Sequence, residues 1–595
     1  MEEKQLEYMR HSCAHLVAAA VQELYPNAKF GVGPAIENGF YYDIDFGAPI
    51  SEGDLQKIEE KAKELGQKGL GYARTEMTIE EAKEFFSQRN QPFKVELLQD
   101  IQEKGSTRMK EQDIELSGTV NKVSIYQTGE FIDLCRGGHI ENTKDIGAFK
   151  LTKLSGAYWR GSEKNPQLTR VYGVLFPTQK ELDDYLTMME EAKKRDHRKL
   201  GKELELFTVI DEIGGGLPLF YPQGAVLRRL VENFVIEAQE RRGYVPIWIP
   251  HITKGKLYEI SGHLQKYDAM YPPMHLEGEA DYYLKPMNCP HFMMLYKTQM
   301  HSYRELPMRC TCTTTNYRYE KSGELSGLTR VRALTQDDCH VFTRPDQIEQ
   351  EINLMLDMIN EIYNAFTLKD FWVRISVHDP ANKEKYIGDT KIWKESEAAL
   401  SRLIENRGWK HEVGVGEAAF YGPKLDFMAK DVLGREWQLS TIQLDMNLPE
   451  RFDLEYTAND GSKQRPVVIH RAILGSIERF LGILIEHFGG KWPVWLSPAQ
   501  AVLVPVSEKH VSGALALKNE MFDLGIRIEI DDANETLGNR VRKAANRHIP
   551  YIIVIGDKEL NGEDWMVKVR GEKDQLRINK ADFIAKVKKE TVDKL

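Results

Sequence analysis

The sequence predicts an α+β multidomain protein: a core built on an antiparallel β-sheet with helices, an α+β unit before it and an α/β unit after it. Three observations predict this. At 595 residues the chain is too long for one hydrophobic core, so about three to four domains are expected. Between about 206 and 492, apolar strands follow one another through hairpin-like links with few strand–helix–strand crossovers, which favours antiparallel pairing. From about 496 onward, AVLVPV, IRIEID, PYIIVIG and MVKVR alternate with helical segments, the pattern of a three-layer α/β domain.

Composition narrows the class. Apolar residues at 42% and charged residues at 29% describe an ordinary globular chain. No run approaches the ~18 apolar residues of a membrane span, and MEEKQLEYMRHSCAH lacks the apolar stretch of a signal peptide. Six scattered cysteines (13, 135, 289, 310, 312 and 339) form no disulfide framework, so a cytoplasmic protein in a reducing milieu is expected. Cys310 and Cys312 are too close together for the usual zinc pair and read as strand thiols. The net charge of −10 argues against indiscriminate nucleic-acid binding. Local basic runs remain: Lys193, Lys194, Arg195, Arg198 and Lys199, then Arg540, Arg542, Lys543 and Arg547. Each is either a nucleic-acid contact or a solvated helix face.

Residues 1–176 form the first unit. Met9–Glu23 reads as a helix ending near Pro26, with Leu16, Val17, Ala20, Val21 and Leu24 on one side. His11 and His15 are one turn apart and share a face. Asp133-Leu-Cys135-Arg-Gly-Gly-His139 places a carboxylate, a thiol and a third imidazole on a glycine-bearing turn. Two pairs of donors fit either a zinc site or structural histidines. Residues 177–205 read as one helical linker of strong helix formers with i,i+4 charges.

Residues 206–492 form the second unit. Gly214 to Pro218 is a turn and matches no nucleotide-binding glycine loop. Ala225–Arg242 reads as a long amphipathic helix, and YVPIWIP (244–250) as a strand. The stretch 309–342 follows. It carries Arg318 and Glu320, a Gly/Ser-rich loop, Arg330 and Arg332, then Gln336, Asp337, Asp338 and His340. A strand–loop–strand there aims Arg318 and Arg330 at one polyphosphate, since guanidinium forks suit phosphate and carboxylate. The plain alternative is a hairpin with a solvated charged tip. Residues 496–595 form the third unit.

This stretch resembles motif 2 of the class II aminoacyl-tRNA synthetases, and more narrowly the threonyl-tRNA synthetase family. KPMNCP (285–290), RYEKSGELSGLTRVRALTQDDCHVF (318–342), AFYGPKLDF (419–427), TIQLDM (441–446) and HRAILGSIERF (470–480) carry the likeness in order, from about Arg10 to the C-terminus. The family's small ubiquitin-like (TGS) domain has no counterpart before the first unit. The resemblance implies a class II catalytic domain at 206–492, an editing domain at 1–176 and an anticodon-binding domain at 496–595. It implies a threonine–tRNA ligase that uses L-threonine, ATP with Mg2+ and tRNA(Thr), with one Zn2+ per subunit, as a homodimer built on motif 1.

Residue by residue, it implies zinc ligands Cys289, His340 and His470. It implies ATP contacts from Arg318, Glu320, Arg330 and Arg479, with Arg318, Arg479 and Lys424 catalytic. The motif 3 helix is expected to start near His470 and to carry Arg479 at its far end. Gln336, Asp338, Tyr421 and Gln443 are the implied threonine pocket; His291 stands where the common bacterial form has Gly, and is expected as a neighbour of the pocket rather than an extra ligand. His11, His15, Tyr42, Lys94, Asp133, Cys135 and His139 are the implied editing set, which hydrolyses seryl-tRNA. These pairs hold zinc in alanyl relatives and are taken to work without metal in the threonyl family, whose usual form has Pro where Gly138 stands. Asn534, Arg542, Glu559 and Arg570 are the implied anticodon contacts.

The two sites predict each other. An apolar pocket separates threonine from isosteric valine by only about a hundredfold, whereas a metal that takes the hydroxyl leaves valine one bond short. Serine keeps the hydroxyl and lacks only a methyl, worth roughly 1–3 kcal/mol, so a second, hydrolytic sieve is needed. A regulatory paralogue should have lost Arg318, Arg479 or a zinc ligand, and a stand-alone deacylase should lack motifs 1 to 3. This chain keeps all of them.

Overall fold

The computed structural model describes residues 3–104, 121–387, 389–431 and 434–595. The chain forms two compact units, Met1–Glu190 and Glu191–Leu595. The division falls inside the expected linker, which is two helices, Gln179–Arg195 and His197–Glu203, parted at Asp196.

In the first unit, the helix Glu3–Leu24 is buried continuously from Ser12 to Val21. The expected single apolar face is therefore too narrow. Small residues such as Ala14, Ala18 and Ala20 let the helix pack on more than one side. The strands Lys29–Phe30, Gly39–Asp45, Gln167–Phe176 and Ala148–Tyr158 pair antiparallel in that order. A second antiparallel sheet joins Ala73–Thr78, Lys122–Thr128 and Phe131–Leu134.

In the second unit, an eight-stranded sheet is described. It runs Val245–Pro246, Met308–Tyr317, Ala333–Thr343, Val467–Ala472, Glu436–Asp445, Lys424–Lys430, Phe371–Val377 and His411–Val415. The six inner strands are antiparallel, as expected; the two edge strands join parallel. Helices Pro222–Glu240, Ile348–Ala365 and Ile477–Phe488 cover one face with Leu227, Val231, Ile359, Ile362, Phe480 and Leu484. YVPIWIP forms only the two-residue strand Val245–Pro246, because its prolines cannot donate to a ladder.

Motif 3 differs from expectation. His470 lies on the strand Val467–Ala472, and the helix begins at Ile477 with Ser476 as its cap. Arg479 therefore sits in the first turn rather than at the far end. This places its guanidinium beside the positive end of the helix dipole, a natural anion site.

The C-terminal sheet runs Ile528–Ile530, Ala501–Pro505, Tyr551–Ile555, Trp565–Val569 and Gln575–Ile578, the first three parallel. Leu503 and Ile553 face Met521 and Phe583 on one side, while Val502 and Ile552 face Ala544 on the other. That alternation makes the expected three layers. Trp492, Trp495 and Leu496 belong to the preceding core, so the catalytic packing runs past residue 492.

Candidate active sites

The antiparallel ladder builds the floor of the larger site. Gln336, Asp338 and His340 alternate along one strand and share a face. His340 pairs in register with His470, and His470 with Gln443, so their side chains rise side by side. Cys289 opens the helix Cys289–Lys297. The donor atoms of Cys289, His340 and His470 lie within 4.8 Å of one another, all buried. Both ring nitrogens of His340 and Nδ1 of His470 have no hydrogen-bond partner among the described residues. His470 Nε2 meets Asp445 Oδ2 at 2.8 Å, the carboxylate that typically orients a metal-bound imidazole. Burial, with His470 and Arg471 nearby, holds His340 well below its ordinary range and hence neutral. Burial also acts to lower His470, but Cys289 and Asp445 outweigh it and push it up to about 10. A thiol and two imidazoles with an open fourth position suit Zn2+, and a cation at this point would take Nδ1 of His470 and one of the two orphaned nitrogens of His340.

Above this floor lies a cavity of about 460 Å³. It collects Arg318, Glu320, Arg330, Gln336, Asp338, Tyr421, Gln443 and Arg479 with Cys289 and His470. Burial lowers Arg479, and the neighbouring Arg318 and Arg330 lower it further. Three clustered guanidiniums make a site for a multiply charged anion. Arg479 Nε donates to the Thr329 carbonyl at 3.1 Å. Arg330 is held by Glu320 at 3.0 Å and Glu324 at 2.6 Å. Lys424 stays outside the lining, paired with Asp426.

Sequence reasoning missed the supports. Asn288 Nδ2 donates to Asp338 Oδ2 at 2.8 Å, and Lys285 Nζ donates to Asn288 Oδ1 at 2.9 Å and Thr314 Oγ1 at 2.7 Å. Burial brings Lys285 down to about 8 and Asp338 up to about 6. The KPMNCP segment was the available signal. His291 joins neither the metal donors nor this cavity; it lines a separate apolar groove with Trp248, Ile249 and Leu295.

In the first unit all seven expected residues converge. His11 Nε2 and His139 Nε2 approach Cys135 Sγ at 3.0 and 3.3 Å. His15 Nε2 lies 3.5 Å from Asp133, whose carboxylate also takes Tyr42 and Lys94. Lys94 donates to the Gly31 carbonyl at 2.6 Å. Missed partners are Ser12, whose Oγ lies 3.1 Å from His139 Nδ1, and Tyr72, which stacks on His139 at 4.8 Å. Burial, with His15 and His11, brings His139 down to about 2, and burial with Asp133 pushes the Cys135 thiol up to about 12. These donors also lie within 4.8 Å of one another. Here, however, both nitrogens of His11 and of His139 already have partners. Gly138 has φ +86°, and a Cβ there would meet the Tyr8 ring at 3.0 Å. Proline is locked near −65°, so this loop is closed to the Pro form.

In the C-terminal sheet, Asn534 and Glu559 follow the carboxyl ends of parallel strands, the edge where α/β sheets bind ligands. Arg542 is exposed on the helix Leu537–Asn546. Arg570 departs from this grouping. It follows an antiparallel strand at the opposite edge and donates to the carbonyls of His548 at 2.7 Å and Trp492 at 2.6 Å. The basic runs are also less free than expected. Arg540 is buried on the carbonyls of Asp531 and Pro505, Lys543 pairs with Glu535 and Arg547 with Glu529, and Arg198 pairs with Asp196.

An antiparallel sheet with a motif 2 hairpin, and a motif 3 helix whose first-turn arginine shares its cavity, defines a class II aminoacyl-tRNA synthetase core. The comparisons agree. Residues 274–488 match the tRNA synthetase class II core domain (G, H, P, S and T), 500–590 the anticodon binding domain, and 123–172 the threonyl and alanyl tRNA synthetase second additional domain. A threonine–tRNA ligase of Rubrobacter xylanophilus is 47% identical over 98% of this chain and 89% of its own length. One from Cytophaga hutchinsonii is 46% identical over 96% and 87%. The solved RNA-binding domain of threonyl-tRNA synthetase from Cryptosporidium parvum superposes with a TM-score of 0.63 at 35% identity, covering 66% of this chain and 98% of that one. The chain belongs to the threonine–tRNA ligase family, and its chemistry is the joining of threonine to tRNA.

The raised Cys135 thiol yields a prediction. At pH 7.5 iodoacetamide should modify Cys135 about a hundredfold more slowly than a free cysteine, because burial keeps the thiol protonated and its higher nucleophilicity as thiolate offsets only part of that. Peptide mass spectrometry measures the rate; rapid labelling would mean the sulfur is held as thiolate.

Proposed function

We propose that the cavity activates threonine on a zinc-dependent floor and that the first unit hydrolyses seryl-tRNA(Thr). The observation that carries the first half is the buried Cys289, His340 and His470 trio with its orphaned nitrogens. A Zn2+ held by Cys289, His340 and His470 would supply a Lewis acid for the polar groups of the amino acid. Asp338, oriented by Asn288, accepts from the substrate hydroxyl, and Gln336, Tyr421 and Gln443 frame the side chain. The threonine carboxylate oxygen attacks the α-phosphorus of ATP and pyrophosphate leaves. No base is required, since the carboxylate is already ionised. Arg318, Arg330 and Arg479, with the Mg2+ that accompanies ATP, balance the charge that develops. Glu320 and Glu324 hold Arg330 until the phosphates replace them. A terminal hydroxyl of tRNA(Thr) then attacks the adenylate carbonyl and AMP leaves. Lys424 answers to Asp426 and serves at most through it.

In the first unit, water attacks the seryl ester carbonyl, the ester bond to the terminal ribose breaks, and the ribose oxygen leaves with the proton that His11 has taken from the water. His11 is neutral through burial and is the group that takes the water's proton. Lys94, fixed by Asp133, Tyr42 and Gly31, orients the ester, while Cys135 and His139 hold the terminal ribose. Work without metal follows the threonyl family's habit; His11 Nδ1 and His139 Nδ1 meet Gly33 and Ser12, while both Nε2 atoms meet the one Cys135 Sγ. Asn534, Arg542 and Glu559 are the proposed anticodon contacts, and Arg570 ties its domain to the end of the catalytic core through the His548 and Trp492 carbonyls. We place the protein in the cytoplasm; among the described residues no helix is long and apolar enough to cross a membrane. A homodimer through motif 1 is supported by the edge strand Val245–Pro246 and the segment after it, where Val245 is 60% and Trp248 79% exposed at the groove that His291 also lines. Such apolar exposure marks an interface, and the occupant is a second copy.

Three outcomes are expected. Cys289→Ser loses zinc and threonine-dependent ATP–pyrophosphate exchange together; a zinc-free variant with normal exchange would contradict the floor. His11→Ala keeps exchange but slows seryl-tRNA hydrolysis by about a hundredfold or more, the usual worth of a general base. Unchanged clearance removes His11 from the reaction. Trp248→Arg shifts the protein from dimer to monomer in analytical ultracentrifugation; a dimer of undiminished affinity would move the interface elsewhere.

A further inference from the structure

The motif 2 loop must hold Arg330 and the Thr329 carbonyl in place, yet it is a loop. What fixes it comes from the linker. His197 opens the helix His197–Glu203. Its Nδ1 lies 2.6 Å from Glu486 Oε1, and its backbone N donates to the same oxygen at 3.0 Å. Its Nε2 accepts the backbone N–H of Leu328 at 3.1 Å. An amide can only donate, so Nε2 carries the lone pair and Nδ1 the proton. Glu486 stands on the motif 3 helix, and its second oxygen takes Arg435, which also pairs with Asp431. Asp196 beside it caps the helix through Arg198 N, so this carboxylate–imidazole cluster is spent on hydrogen bonds rather than on a metal.

The loop lies directly on the imidazole. Gly327 has φ +46°, and a Cβ there would fall 2.1 Å from His197 Nε2. A Cβ on Gly482 of the motif 3 helix would meet Leu328 and Thr329 at 3.3 Å each. Leu328 is fully buried. Linker, loop and helix are thus in close contact at one backbone amide. The next residue, Thr329, gives its carbonyl to Arg479 Nε, and Arg330 follows.

We propose that His197 is a positioning residue for ATP: it ties the motif 2 loop to the motif 3 helix and so sets Arg330 and Arg479 at the phosphates. The proposal rests on the reading of the cavity as the ATP site. It uses a residue far in sequence from both motifs, on the segment that links the first unit to the core. The side chain touches no substrate, so its loss should appear in ATP binding and not in the threonine pocket.

The test is ATP–pyrophosphate exchange on full-length protein with ATP varied. His197→Ala is expected to raise the KM for ATP about tenfold, the worth of one hydrogen bond. Zinc content, the KM for threonine and seryl-tRNA hydrolysis should stay within about twofold, a change too small to reflect a lost hydrogen bond. His197→Gln keeps an acceptor for Leu328 N and a donor for Glu486, and should recover to within about threefold, less than one hydrogen bond. Gly327→Ala, which displaces the imidazole while leaving it in place chemically, should raise the KM for ATP in the same direction. If His197→Ala does not fold, Gly327→Ala set against His197→Gln decides by the same split. An unchanged KM for ATP in His197→Ala overturns the proposal. So does an equal loss in the Ala and Gln variants that also raises the KM for threonine, because that is a structural role. Threonine-dependent exchange by the unmodified protein tests the site itself; the anchor is tested by the change relative to it.

Discussion

Two buried imidazoles on one face of an antiparallel ladder, met by a buried thiol from the start of a helix, are what the larger site depends on. His340 has no hydrogen-bond partner for either nitrogen among the described residues and is fully buried. A buried polar group in that condition costs roughly 1–3 kcal/mol, so the sheet tolerates it only for a purpose. Strand register puts His470 beside it, Gln443 beside His470, and Asp338 two residues along on the same face. The metal-capable point and the groups that would recognise the amino-acid side chain are therefore one construction. Moving the strand of His340 by one residue would turn Gln336, Asp338 and His340 to the opposite face, away from His470.

The phosphate side is built on a different principle. Its arginines stand at element ends: Arg318 after a strand, Arg330 in a loop, Arg479 in the first turn of a helix. Their mutual repulsion is relieved by Glu320 and Glu324 on Arg330 and by a carbonyl on Arg479. Such a site is poised for exchange of carboxylate for phosphate. In the proposed function the rigid floor selects the amino acid, and the loop-borne arginines close on the nucleotide. His197 belongs to this second half, because it decides where the loop can lie. The first unit follows the logic of the floor instead: His11, Cys135, His139 and Asp133 are held by one another and by neighbouring backbone before any ligand arrives.

Much of this was legible in the sequence, and the reasons differ by residue. The alternation Gln336, Asp338, His340 is a strand face readable by period two. His11 and His15 are a helix face readable by period 3.6. The antiparallel core and the layered C-terminal domain follow from how strands and helices alternate. Cys289, His340 and His470 are far apart in the chain, and only likeness to a family joins them. Supports such as Lys285, Asn288, Asp445, Ser12 and His197 act across elements. Their roles need register and packing, which no local pattern encodes. Arg540 and Arg570 misled for a related reason. Arg540 was read from a basic run and Arg570 from the family likeness, but each of these turns inward onto backbone carbonyls. Motif 3 was misread because an apolar strand and the start of a buried helix look alike over a few residues.

The central claim is that one zinc-dependent floor distinguishes threonine by its hydroxyl and passes serine to a second site. It is tested most directly by ATP–pyrophosphate exchange with threonine, serine and valine on protein of measured zinc content. The account predicts strong exchange with threonine, weaker exchange with serine and none with valine, at about one zinc per chain, the number a single three-ligand site holds. Exchange with valine comparable to threonine, or threonine exchange in zinc-free protein, would contradict it.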